Sequence, residues 1–159
     1  MNTKIMKNQS QIISTARYMN NADLKQVLVI EEDSFDYPWD QDEFISVMKK
    51  SSVSSHILEL NERVIAYYIY DLQKTKIEIL NIAVDKPYRR KGVASQIVNN
   101  ITDRLDLFNL KYVSITVAEH NLLAQLFFKN CGFKYIKTFT NHYEDYVGDA
   151  YFMSFKKSK

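Results

Sequence analysis

Apolar positions along this chain switch between two periods, and the switches mark its elements. Ile12 to Met19 reads as a first strand, and Asn20-Asn21-Ala22-Asp23 then offers helix-capping side chains. Leu24, Val27, Leu28 and Glu31 follow at helical spacing, which predicts a helix over about 22–33. Pro38 forbids a continuous helix through Ser34-Phe35-Asp36-Tyr37-Pro38-Trp39. Asp40 with Glu43 three residues on reads as a capping box that starts a second helix running to about Lys50.

Strand patterns follow. His56–Leu60 and Val64–Tyr70 flank a short Asn61-Glu62-Arg63 turn and predict a hairpin, with a third strand over Lys76–Val84. Val93, Ile97, Ile101, Leu105 and Phe108 form the apolar stripe of a long helix. Tyr112–Val117 reads as a strand, and 121–130 as a helix that Gly132 stops. Tyr135–Thr140 and Tyr151–Phe155 complete the series. The order β-α-α-β-β-β-α-β-α-β-β describes an α/β sandwich with a mixed sheet.

Composition narrows the class. The chain has 159 residues, which predicts a single domain over 1–159, and its polar residues 1–11 are expected to be loosely ordered. A net charge of +2 argues against a dedicated nucleic-acid binder. The single cysteine, Cys131, excludes an internal disulfide and a cysteine-based metal site, and its apolar neighbourhood predicts a buried structural thiol. With no apolar leader and no membrane-length run, a cytoplasmic protein with no membrane partner is expected, and no metal. Asn8-Gln9-Ser10 matches a glycosylation sequon, which carries no meaning without secretion.

The richest chemistry lies in Ile82-Ala83-Val84-Asp85-Lys86-Pro87-Tyr88-Arg89-Arg90-Lys91-Gly92-Val93-Ala94-Ser95. An apolar strand ends, a turn carries three consecutive cations, and Gly92 with small residues opens a helix. Helix N-termini expose unpaired N–H groups and bind phosphates. Gly92 and Ala94 lack the bulk that would keep a pyrophosphate from the backbone, and Arg89, Arg90 and Lys91 add mobile positive charge at the rim. The segment is neither a P-loop nor a G-x-G-x-x-G dinucleotide fingerprint. A basic turn before a surface helix is the plainer alternative.

Arg-x-x-Gly-x-Ala after a strand resembles the pyrophosphate loop of the GNAT superfamily of acetyl-CoA-dependent N-acyltransferases. Asn121-Leu122-Leu123-Ala124-Gln125-Leu126-Phe127-Phe128-Lys129-Asn130-Cys131-Gly132-Phe133 is similar to that family's last helix. Phe35-Asp36-Tyr37-Pro38-Trp39 and Leu80-Asn81-Ile82-Ala83-Val84-Asp85 resemble segments of the bacterial ribosomal-protein-alanine N-acetyltransferases, the RimI type. The resemblance covers roughly 12–156. It implies a mixed, mostly antiparallel central sheet of about seven strands flanked by four helices.

It also implies direct attack of an amine on the thioester of acetyl-CoA. Ile82, Ala83 and Val84 would hold the pantetheine arm through backbone groups, and Arg89 to Ser95, Val93 included, the pyrophosphate. Asn121 would bond the arm or simply cap its helix, and Phe128 joins the cofactor-binding set. A backbone N–H on the same strand would stabilise the oxyanion. RimI types carry a Glu base where this chain has Thr116 and a Tyr acid where it has Phe128, so that catalytic pair does not carry over. Glu78 lies in a strand similar to the Glu-bearing strand of histone-type members and is the candidate base; Glu119 and His120 are alternatives. Tyr143, in a segment similar to the RimI Asn-Tyr-Tyr, is the candidate acid or acceptor-lining group.

Glu31, Glu32, Asp33, Asp36, Asp40, Asp42 and Glu43 gather around the first two helices and either attract cationic amines or solvate the helix starts. Three functions are therefore carried forward: acetylation of a protein or peptide α-amine, acetylation of small amines such as polyamines, amino acids or aminoglycosides, and non-catalytic acyl-CoA binding. A monomer and a homodimer are both compatible with the sequence.

Overall fold

A computed structural model describes residues 3–5, 14–143 and 148–158. The elements run β1 (Thr3–Ile5), β2 (Ser14–Tyr18), α1 (Leu24–Ser34), α2 (Gln41–Met48), β3 (Val53–Leu60), β4 (Arg63–Leu72), β5 (Lys76–Val84), α3 (Val93–Leu107), β6 (Tyr112–Ala118), α4 (Leu122–Asn130), β7 (Lys134–Phe139) and β8 (Ala150–Phe155). Short 3-10 turns precede α1 at Asn21–Asp23 and follow β5 at Lys86–Tyr88. Among the described residues, four α-helices and a mixed, mostly antiparallel sheet are as expected. The addition is β1, three residues antiparallel to β2 with Thr3 opposite Ala16, where only loose order was anticipated. Asn8-Gln9-Ser10 and the start of the expected first strand lie outside the described residues.

The chain forms two compact units, to which β5 and α3 each contribute residues. The first comprises Met1–Asp71 and Asn81–Ile97. Its strands pair β1-β2-β3-β4, all antiparallel. The β3–β4 turn places Asn61 and Glu62 at φ of 48° and 62°, the left-handed pair that matches the twist of a two-residue hairpin. Seven consecutive residues of β4, Val64 to Tyr70, are buried, as in a strand covered on both faces. Asn20 and Asp40 each close a reciprocal capping box, with Asp23 and Glu43 as partners. On α2, Phe44 is fully buried between the rings of Trp39 and Tyr67, at centroid distances of 5.3 and 5.7 Å. Truncating a ring so enclosed costs about 3–5 kcal/mol.

The second unit comprises Leu72–Leu80 and Val98–Lys159. Lys76–Ile79 of β5 run parallel to Tyr112–Ile115 of β6, and β6, β8 and β7 continue antiparallel in that order. α4 ends in a Schellman motif: Phe133 N–H donates to the Phe128 carbonyl and Gly132 N–H to that of Lys129, both at 3.0 Å. Gly132 has φ of +91°, and a Cβ there would lie 3.2 Å from the Phe155 ring. The rings of Phe128 and Phe133 close the motif at 5.2 Å. Cys131 is the C-cap of α4 and is half-buried, not buried, because the helix surfaces at its end.

Candidate active site

The end of β5 and the start of α3 lie together in the first unit. After Val84 the chain makes its 3-10 turn, with Pro87 in the first turn where its missing N–H costs nothing. Arg90 and Gly92 then take positive φ, 58° and 77°. This reversal delivers the chain into α3, whose first N–H groups, those of Val93, Ala94 and Ser95, have no intrahelical acceptor. A Cβ on Gly92 would meet nothing within 4 Å. Glycine is required there by the backbone turn, and the space beside it is open.

The three cations differ. Arg90 and Lys91 are exposed. Arg89 is engaged: Nε donates to the Val84 carbonyl at 2.8 Å, and a terminal nitrogen donates to Ser34 Oγ at 3.0 Å and lies 3.3 Å from Asp33. The expected mobile rim is therefore two cations, with the third bound to the end of β5 and to the last turn of α1.

Alternation along β5 places Glu78, Leu80, Ile82 and Val84 on one face and Ile77, Ile79, Asn81 and Ala83 on the other. Glu78, half-buried in the second unit, accepts from Lys76 Nζ at 3.0 Å and Gln73 Nε2 at 2.9 Å. Lys76 Nζ also lies 3.4 Å from the buried Ser114 Oγ. Thr116 is half-buried opposite Phe152 of β8. Phe128 is 2 % exposed within a ring cluster with Phe127 and Phe133. Asn121 caps α4, its Oδ1 accepting from Ala124 N–H at 3.1 Å. Glu119 and His120 are exposed in the turn before it. Tyr143 is half-buried, edge-on to His142.

The largest departure from the sequence reading is Glu31. Expected among acids that either attract cationic amines or solvate the helix starts, exposed in both cases, it is 1 % exposed. Its Oε1 accepts from Trp39 N–H at 2.8 Å; its Oε2 accepts from Asn81 Nδ2 at 3.0 Å and from the Tyr67 hydroxyl, which itself lies 3.3 Å from Asn81 Oδ1. Burial raises the Glu31 carboxyl above the ordinary carboxylate range, against the opposing pull of these donors. Burial and the Glu31 charge likewise push Tyr67 well above an ordinary tyrosine. The other six acids of the group are exposed. Asp40 and Glu43 are occupied in the capping box, and Asp33 faces Arg89.

Comparison with known proteins gives the chain's family. It matches the acetyltransferase (GNAT) family over residues 24–133 and belongs to it. It is 25% identical over 142 residues to an uncharacterised N-acetyltransferase of Methanocaldococcus jannaschii, covering 89% of this chain and 90% of that protein. It is 23% identical over 131 residues to the ribosomal protein bS18-alanine N-acetyltransferase of Escherichia coli K12, covering 82% and 88%. The crystal structure of the Escherichia coli ribosomal-protein-S18-alanine enzyme has the same fold, with a TM-score of 0.80 over 92% of this chain and 96% of that one. So does Arabidopsis thaliana Naa50 in complex with the bisubstrate analogue CoA-Ac-MVNAL, at 19% identity and a TM-score of 0.76 over 91% and 99%. The protein is thus an acetyl-CoA-dependent N-acyltransferase. Among the described residues, no cluster of three or more His, Cys, Asp or Glu could hold a metal, and no helix is long and apolar enough to cross a membrane.

Proposed function

We propose that this enzyme acetylates the α-amine of a protein or peptide N-terminus. The observation that carries the reading is the Phe35–Trp39 loop. It resembles the RimI loop in sequence and is held at Trp39 by the same carboxylate that holds Asn81, the residue preceding Ile82. A fixed loop beside the donor strand suits an extended peptide. The names of two relatives, an alanine N-acetyltransferase of a ribosomal protein and Naa50 with its peptide-bearing analogue, support the same class of acceptor.

In this reading Ile82, Ala83 and Val84 hold the pantetheine arm by their backbone. Gly92, Val93, Ala94 and Ser95 receive the pyrophosphate with Arg90 and Lys91 beside it, while Arg89 shapes the turn. Asn121 and Phe128 complete the donor set. The neutral amine attacks the thioester carbonyl and forms the C–N bond. The C–S bond then breaks, the amine's proton passes to the base, and the thiolate takes a proton. Glu78 is the base and Tyr143 the acid. In this reading the proton reaches Glu78 through water.

A relayed base suffices for an α-amine. With a pKa near 7.7–8.0, roughly one in five to ten is neutral at pH 7, against about one in 2,500 for lysine; the difference is about 3–4 kcal/mol. CoA release with two acceptor pools tests the reading. Turnover with lysine-free peptides bearing free N-termini supports it; turnover only with polyamines, amino acids or aminoglycosides overturns it, and binding of acetyl-CoA without turnover points to a non-catalytic domain.

A further inference from the structure

Glu31 touches its loop twice. Its carbonyl accepts from Phe35 N–H at 3.1 Å, ending α1, and its carboxylate accepts from Trp39 N–H at 2.8 Å. The five residues Phe35–Trp39 are bracketed by one residue. The circuit then closes through rings and polar atoms: Trp39 packs edge-on to Phe44, Phe44 edge-on to Tyr67, and the Tyr67 hydroxyl donates back to Glu31. Asn81 brings β5 into the same carboxylate. A buried carboxylate is a costly way to join a loop to a strand if packing alone would serve, since its desolvation must be offset by every donor it collects.

We propose that Glu31 is a positioning residue for the acceptor amine: it fixes the Phe35–Trp39 loop to β5 immediately before the strand's acetyl-CoA-binding residues, and so sets acceptor affinity without touching either substrate. The inference rests on the reading that this loop borders the acceptor. It does not depend on whether the acceptor is a peptide or a small amine.

The two ends of the clamp respond differently to substitution. Glu31→Met keeps the volume but removes every acceptor, leaving Trp39 N–H, Asn81 and Tyr67 without this partner. Glu31→Gln keeps an oxygen for Trp39 N–H and turns an N–H toward the Tyr67 oxygen; rotation of the Asn81 amide by half a turn then lets Asn81 Oδ1 accept from the new side-chain N–H, so the clamp is restored without the charge. Partial unfolding reduces the concentration of active enzyme and lowers apparent kcat while leaving KM unchanged; release of the loop raises acceptor KM.

The experiment measures KM and kcat for acetyl-CoA and for whichever of the two acceptor pools turns over, in wild type, E31M and E31Q. The expected result is an acceptor KM raised about tenfold in E31M, acetyl-CoA KM within about twofold, and E31Q within about threefold of wild type. An unchanged acceptor KM in E31M, or an E31Q as impaired as E31M, overturns the proposal. If only small amines turn over, the peptide reading fails while the KM comparison still decides the role of Glu31. Hydrogen exchange of the wild-type Trp39 amide serves where E31M does not fold or no acceptor turns over. Protection of about a hundredfold or more over an unstructured peptide is expected, and exchange at the unprotected rate overturns the clamp.

Discussion

Arg89 donates through Nε to the carbonyl of Val84 at 2.8 Å, closing the turn that joins β5 to α3. The consequence separates it from its neighbours. Arg89→Ala should raise the Kd for acetyl-CoA at low and high salt alike, because it loosens the turn. Arg90→Ala and Lys91→Ala remove exposed charges, each worth roughly 0.3–1 kcal/mol at low ionic strength, and their effect should fade as salt screens them. Calorimetric titration of acetyl-CoA at two salt concentrations distinguishes the two behaviours.

The two glycines at chain reversals should fail differently. Gly92→Ala meets no neighbour, so its cost is the left-handed backbone alone, about 1–2 kcal/mol, and it should appear mainly as weaker acetyl-CoA binding. Gly132→Ala carries the same strain and also presses on the Phe155 ring from 3.2 Å. It should lower the melting temperature more than Gly92→Ala and leave acetyl-CoA affinity nearly unchanged in the folded protein.

Glu31 predicts a pH dependence of stability. Its folded pKa is raised above the ordinary 4.5, so over that interval the folded state holds a proton that the unfolded state has lost. Its contribution is therefore fully present below about pH 4.5 and is lost as pH rises through the folded pKa. Glu31→Gln cannot titrate. The stability of wild type relative to E31Q, from urea unfolding at a series of pH values, should fall as pH increases across that interval. A difference that stays flat or rises contradicts the raised pKa.

Glu78→Gln preserves an acceptor for Lys76 and Gln73 and removes only the basicity. If Glu78 is the base, kcat should fall about 10²–10⁴-fold with acetyl-CoA affinity intact. A fall of less than about tenfold would move the role to Glu119 or His120, which Glu119→Gln and His120→Ala then separate.

Much of this was legible in the sequence because it is local. The β5 boundaries, the Asp40–Glu43 capping box, the hairpin turn (read over Asn61-Glu62-Arg63, with Arg63 in fact the first residue of β4) and the glycine stop at α4 all depend on residues within a few positions of one another. β1 escaped because Thr3-Lys4-Ile5 is too short to show a period, and it is recognised only by its pairing with β2. Arg89 reads as a free rim cation because its partner Ser34 lies 55 residues away. Glu31 escaped for the same reason, with Tyr67 and Asn81 at separations of 36 and 50. A signal was present, however: Glu31 stands at helical spacing from Leu24 and Val27 on the stripe that α1 buries. A carboxylate on an apolar stripe is more informative than one among exposed acids.

One peptide tests the preference for an α-amine: a free N-terminus and an internal lysine in the same molecule, acetylated to low conversion and sequenced by tandem mass spectrometry. Acetylation is expected at the N-terminal amine in excess of at least about tenfold, since deprotonation alone favours it by about 3–4 kcal/mol. Acetyl groups found chiefly on the lysine side chain would contradict it.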